Sequence, residues 1–314
     1  MAKFVAGRLV ESIPVLVLAS LLVFSILHLI PGDPIDAMLG SAAAGVGTPE
    51  SRQQLTEQIR EQLGLNDPLW LQYVRWLANA ARLDLGESFI RHQPVAQLIA
   101  TRLPSTLELA GAALLFSVVI GVGAGLLAAL KRNTPIDAVV MLVSLGGVSM
   151  PSFWFAILLI LVFSVTLNIF PATGSGGIDR LVLPALVLGY DGAALIARLT
   201  RASLLEVLGR EYVRTATAKG LYRRTVVLRH AMRNALIPVV TVVGLQLGRL
   251  IAGSVIVETV FARQGIGQLA IDAILQKDYP VVQGVILLTA TSYVFANLLV
   301  DVSYGFLNPR IRSA

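Results

Sequence analysis

The chain has 314 residues, no cysteine, 55% hydrophobic residues and only 14% charged ones. Soluble domains run near 45–50% apolar and about 25% charged, and a mean hydropathy of +0.75 is far above what a water-facing surface tolerates. A disordered chain, a disulfide scaffold and an ordinary soluble enzyme are excluded, and the net charge of +6 has to be read by position rather than as a sum.

A membrane span needs about 20 mostly apolar residues to cross roughly 30 Å of hydrocarbon. Six stretches qualify. The first covers about 9–30 and is stopped by Pro31-Gly32-Asp33-Pro34. Its apolar run exceeds the 7–15 residues of a signal peptide and no small-residue cleavage site follows directly, so it reads as an uncleaved helix.

Residues 31–105 form an outer segment too long for a turn. Thr48-Pro49-Glu50 has the oxygen cap and first-turn proline of a helix start, Leu55, Ile59 and Leu63 recur every four residues, and Gly64 suits the end. Asp67-Pro68 opens a second helix in which Leu69, Trp70, Tyr73, Trp76 and Leu77 share a face. Eight acids against six bases exclude a nucleic-acid surface. The segment reads either as a small cap packed on the membrane domain or as an outer docking or gating surface.

The remaining spans fall near 106–130, 138–165, 181–197, 235–260 and 281–304. Gly121-x-x-x-Gly125 and Gly244-x-x-x-Gly248 let helices approach closely, for packing or for a moving gate. Ser149, Met150, Pro151 and Trp154 lie in the third span. The proline interrupts the hydrogen-bond ladder there, giving a path lining or a kink filled by side chains. Asp191 and Arg249 are ionisable groups inside the fourth and fifth spans, roughly 15 and 17 Å below the outer ends at 1.5 Å per residue. A salt bridge between them is expected, with a pore-facing charge or a contact to another subunit as rivals. Glu258 sits near the outer end of the fifth span, at the interface or in a gate.

With the N-terminus inside, the inner segments 1–8, 131–137, 198–234 and 305–314 hold 15 Lys/Arg in 62 positions, against 9 in 110 for the outer ones. Both termini are therefore expected on the cytoplasmic side. Nine of those bases fall in 198–234, beside only two acids, Glu206 and Glu211. Leu204, Leu205 and Leu208 give an apolar face, Gly209 interrupts it, and Tyr212, Ala216 and Gly220 follow at four-residue spacing. This predicts one or two short helices under the membrane, with Gly220 permitting a sharp turn or a close backbone approach. A loop that only fixes topology is the plain alternative.

Chemistry-bearing motifs are missing. His28, His92 and His230 lack metal-ligand spacing, and no phosphate loop, Gly-x-Ser-x-Gly or His-Glu-x-x-His element is present. No catalytic, cofactor or metal residue is expected. A stand-alone secondary transporter would need internal repeats, and none is convincing.

Residues 211–238, from Glu-Tyr-Val-Arg-Thr-Ala-Thr-Ala-Lys-Gly to Asn-Ala-Leu-Ile-Pro, resemble the coupling loop of permease subunits in binding-protein-dependent ABC importers, in the peptide/nickel branch. The usual Glu-Ala-Ala triplet is Arg214-Thr215-Ala216 here, Gly220 matches, and His230-Ala231-Met232-Arg233 replaces the Ile-x-Leu-Pro stretch. Pro31-Gly32-Asp33-Pro34, Asp84-Leu85-Gly86-Glu87-Ser88, Val257-Glu258-Thr259-Val260-Phe261, Asp278-Tyr279-Pro280 and Asn308-Pro309-Arg310-Ile311-Arg312 are also similar to that branch. The resemblance implies an all-α, six-helix type I importer fold in a bacterial inner membrane. It divides the chain into a helix at 1–30, an outer segment at 31–105 and a permease core at 106–314 with its coupling loop at 198–234. The chain would be half of a pore for peptides, glutathione-like molecules or nickel complexes. Its partners would be membrane lipid, a homologous second permease, two ATPases that hold ATP and magnesium, and an extracytoplasmic binding protein. No cofactor and no nucleic acid are implied for this chain. Arg214, Ala216, Lys219, Gly220, Arg223 and Arg224 would meet the ATPase. Ser149, Met150, Trp154, Asp191, Arg249 and Glu258 are the candidates for the path.

Overall fold

The computed structural model describes residues 2–29, 53–54, 56–58, 60 and 66–307. Pro31 to Pro34, Thr48 to Glu50, Leu55, Ile59, Leu63, Gly64 and the Asn308–Arg312 tail lie outside the described residues. The fold is all-helical. Helix α1 covers Ala2–Leu29, and α2 covers Leu69–Ala81 behind Pro68, as the Asp67-Pro68 start predicts. Helix α3 spans Val95–Leu130, so the outer segment 31–105 ends inside it. Helix α4 (Pro135–Ser149) and α5 (Ser152–Leu159, continued by a π-helical turn, Ile160–Thr166) are followed by α6 (Asp179–Leu208). Helix α7 is Glu211–Ala218; α8 is the run Arg223–Thr225, Val226–Ala231 and Met232–Ala235, with a π-helical middle. Helices α9 (Ile237–Val260), α10 (Ile266–Leu275) and α11 (Tyr279–Leu307) complete the chain.

Four helices, α3, α6, α9 and α11, are long and apolar enough to cross a membrane, and α4 with α5 makes a fifth as one bent span. The third predicted span is thus not a single helix. It breaks at Met150–Pro151 with a bend of 115°. Proline has no N–H to continue the ladder and drives its predecessor out of the helical region, and Met150 is extended at φ −92, ψ 124. The fourth predicted span is also longer than expected. Helix α6 runs on to Leu208 because Leu204 and Val207, one turn apart, are buried at its inner end.

Helix α6 is the central element. Its seam with α3 is built from small residues, as Gly121 and Gly125 predict. A Cβ on Gly125 would fall 2.5 Å from the Ala197 carbonyl oxygen, and one on Gly189 would fall 2.5 Å from that of Ala113. The Ser117 hydroxyl bridges the seam, donating to Gly189 O at 2.7 Å and Ala113 O at 2.8 Å. At the inner end, Asp137 at the start of α4 takes both arms of Arg201 on α6, at 2.6 and 2.7 Å, and also accepts the Asn133 N–H. On the outer side, Tyr73 of α2 shares a 2.8 Å hydrogen bond with Ser20 of α1, and Phe24 packs edge-on against its ring. Leu69 and Trp70 point away from this contact and are exposed, so the five-residue face predicted for α2 is split.

Glu258, which the sequence placed near the outer end of its span at the interface or in a gate, is fully buried within the protein. The chain after α9 doubles back, and the Glu258 carboxylate meets the N-terminus of α10. It accepts Gly267 N–H at 2.7 Å, Gln268 N–H at 3.3 Å and the Thr106 hydroxyl at 2.7 Å, while Thr106 accepts Ile266 N–H at 2.8 Å. Arg263, also fully buried, pairs with Glu108 at 2.9 Å. A second outer knot joins two motifs far apart in the chain: Asp278 accepts the Ser88 hydroxyl at 2.5 Å and Phe89 N–H at 3.1 Å.

Two thermal-unfolding comparisons of purified protein check this packing. Gly125→Ala should lower the midpoint, by the equivalent of about 1–3 kcal/mol for an overpacked seam. Gly123→Ala, inside α3 with nothing within 4 Å of the added Cβ, should instead raise it, by the equivalent of up to about 1 kcal/mol. Glu258→Ala strands the α10 amides and should cost about 1–3 kcal/mol, with Glu258→Gln falling between it and the wild type.

Candidate functional site

The end of the molecule that the basic residues assign to the cytoplasmic side carries a compact projection. Val213 of α7 and Val226, Val227, Ala231, Met232 and Ala235 of α8 are buried with Leu204 and Val207 of α6 and Ala129 of α3. Tyr212 and Asn234 tie α7 to α8 through a 2.8 Å hydrogen bond. At the root of α7, Arg210 pairs with Glu206 at 2.6 Å, and that carboxylate holds its guanidinium above the usual pKa. The segment is thus a rigid extension of the helices above it, not a loop that dangles between them.

The residues expected to meet a partner divide in two. Arg214, Lys219, Gly220, Arg223 and Arg224 are exposed, whereas Ala216 is half-buried against the apolar cluster. Among the described residues the four basic side chains form no ion pair. Gly220 has φ +79, the left-handed region that glycine enters without penalty, and a Cβ there would meet nothing within 4 Å. Its requirement is the turn between α7 and α8. Tyr222, 85% exposed, was not singled out from the sequence. The signal was an aromatic between bases in an inner segment, Leu221-Tyr222-Arg223-Arg224. Val213 anchors α7 to the apolar cluster beside Ala216, whereas Tyr212, on the same spacing, is exposed.

A second region lies halfway along α6 and α9. Asp191 and Arg249 approach to 3.6 Å, with side chains 55% and 66% exposed, so the two residues that depth arithmetic paired do face each other. Tyr190, the preceding residue, sits in the elbow of α4 and α5. Its hydroxyl donates to Val143 O at 2.7 Å and its ring lies 4.7 Å from that of Phe155. Gly146 and Gly147 make room for it: an added Cβ would lie 3.2 Å from the Tyr190 hydroxyl at the first and 2.8 Å from Ala194 at the second. Ser149, Pro151 and Trp154 are exposed around the bend and Met150 is half-buried. The elbow and the ion pair are therefore joined through Tyr190-Asp191, while Glu258 belongs to the buried α10 knot. Tyr190 was missed because aromatic residues in spans are common; its signal was the polar interruption Gly189-Tyr190-Asp191-Gly192 in an apolar run.

The chain matches the family model for binding-protein-dependent transport system inner membrane components over residues 121–313, and the N-terminal model of the same systems over residues 1–110. It is 43% identical over 312 residues to the glutathione transport system permease protein GsiC of Escherichia coli K12, covering 99% of both chains. It is 45% identical over 340 residues to the di/tripeptide transport system permease protein DppB of Pseudomonas aeruginosa UCBPP-PA14, again covering 99% of both. In fold it is similar to an inward-facing MetNI methionine ABC transporter chain, with a TM-score of 0.57 at 20% identity over 68% of this chain and 97% of that one. The chain belongs to the family of binding-protein-dependent transport system inner membrane components: it is a multi-pass permease subunit of an ABC importer, a transport component and not an enzyme.

Proposed function

We propose that this permease conducts short peptides, as one half of a pore completed by a homologous second permease. Helix α1 supplies a sixth span, and both termini lie in the cytoplasm, in line with the basic residues of the inner segments. Two ATPases dock under the molecule and carry ATP and magnesium; an extracytoplasmic binding protein delivers the substrate; the chain itself holds no cofactor. The relatives at 43–45% identity are named for glutathione and for di- and tripeptides. Both are small peptides with free ionic groups, which favours this class over nickel complexes.

The observation that carries the reading is the mounting of the projection at 211–235. Its exposed side presents Tyr222 and four bases, and its buried side is continuous with α3 and α6. A partner that pulls on Arg214, Lys219, Gly220 and Arg223-Arg224 therefore moves the membrane helices directly. Ala216 serves as the packing contact beneath that surface. The α6–α9 face, with Asp191, Arg249 and the Ser149–Trp154 elbow, lines the path.

Gly220→Val tests this coupling. A β-branched residue at φ +79 costs about 1–2 kcal/mol and reshapes the turn. Uptake by the reconstituted complex should fall roughly tenfold while ATP hydrolysis continues. Unchanged uptake would contradict the coupling role.

A further inference from the structure

Among the described residues, leaving aside the surface pairs at Arg8, Arg75, Arg91 and Arg210, the remaining ion pairs fall into two kinds. Asp137–Arg201 is a structural pair: bidentate at 2.6 and 2.7 Å, with the carboxylate buried and a backbone N–H as a third ligand. Arg263–Glu108 is held at 2.9 Å with the guanidinium fully buried. Asp191–Arg249 is different in each respect. Its closest approach, 3.6 Å, lies beyond the 2.7–3.2 Å of an N–H···O hydrogen bond. Both side chains are more than half exposed. Neither makes a hydrogen bond to any of the described residues.

Its position makes that looseness costly. Asp191 is twelve residues into α6 and Arg249 eleven before the end of α9, roughly 17–18 Å along helices that cross about 30 Å of hydrocarbon. Charges at that depth face an aqueous cavity or another polar surface, not lipid. Helix α6 makes the placement more pointed, because its neighbours Gly192, Ala193 and Ala194 are all buried. The carboxylate is the part of this stretch that the packing leaves outside. One turn before Arg249, Gln246 is buried beside Gly192 and its Oε1 has no hydrogen-bond partner.

Two opposite charges with unused donors and acceptors, side by side at mid-membrane, suit a ligand that carries both signs itself. We infer that Asp191 and Arg249 recognise the zwitterionic ends of the passing peptide. The Arg249 guanidinium takes the carboxylate in its planar fork, the Asp191 carboxylate takes the ammonium, and the two release each other as the peptide enters. Without a peptide they neutralise one another across 3.6 Å. This rests on the reading of the α6–α9 face as the path, and the two are tested separately.

The chain contains no cysteine, so Arg249→Cys introduces a single thiol. In the full complex with both permeases and both ATPases, a water-soluble cationic thiol reagent should label it, and dialanine delivered by the binding protein should slow that labelling. A thiol that the reagent cannot reach overturns the path reading and the recognition role together. Uptake of radiolabelled dialanine, normalised to assembled complex, then tests recognition alone. Asp191→Asn and Arg249→Gln should each reduce it about tenfold, and Arg249→Lys, which keeps the charge without the fork, should reduce it less. The double neutral variant Asp191→Asn/Arg249→Gln decides the matter, since it removes the charge imbalance and the recognition groups at once. It should stay as low as the single variants. Uptake at the wild-type level in the double variant, or in either single neutral variant, would show a pair that only balances charge and would overturn the inference.

Discussion

The close contact of α3 and α6 is the constraint on which the rest of the structure depends. Lipid gives no hydrophobic drive to join two apolar helices, so association relies on dense packing and on hydrogen bonds between them. Gly121, Gly125 and Gly189 let the two backbones meet, and the Ser117 hydroxyl bonds across the seam to Gly189 O. Pressed against α3 on one side, α6 receives α4 and α9 on others and becomes buried along most of its length. Two consequences follow. Its inner end is fixed firmly enough to carry α7 and α8, and a polar residue halfway along it, Asp191, is either packed or deliberately open. It is open.

Charged groups inside the spans are few, and they are held in different ways. Asp137–Arg201 clamps the start of α4 to α6. Glu258 holds the N-terminus of α10, where backbone N–H groups and the helix dipole favour an anion. Arg263 and Glu108 secure the turn beside it. Asp137, Glu258 and Arg263 are buried, multiply bonded and able to hold one geometry. Asp191 and Arg249, halfway along α6 and α9, are more than half exposed, and they lie beside the bent α4–α5 pair, where Tyr190 fills the elbow. The broken span and the open ion pair thus share one wall of the molecule.

Much of this was legible in the sequence. Hydropathy located α3, α6, α9, α11 and the bent α4–α5 pair, glycine spacing foretold the α3 seam, and helical rise brought Asp191 level with Arg249. Local arithmetic failed where burial came from distant residues. Helix α3 reaches out to Val95 because Val95, Leu98 and Ile99 pack on α10 and α11, not on lipid, so hydropathy had no reason to extend it. Helix α6 reaches Leu208 for the same reason at the other end. The burial of Glu258 was not legible because the doubling back of Gly265–Gly267 and the contact with Thr106, 152 residues away, have no periodic signature. Pro151 announced a break, but its 115° angle is set with the packing of Tyr190 against Gly146 and Gly147. The inner projection was legible as a family motif and a cluster of bases; that it is cemented to α3 and α6 was not.

In the proposed coupling role, a segment cemented in this way would transmit motion as a lever does, without internal slack. The most direct measurement is the distance between spin labels at Tyr222→Cys, on the exposed tip, and Lys131→Cys, at the end of α3, in a chain that has no other cysteine. Measured in the assembled complex with and without ATP, a rigid mount predicts the same distance distribution in both states while uptake proceeds. A shift of about one helical turn, ~5 Å, would show the projection moving independently of the membrane helices and would contradict it.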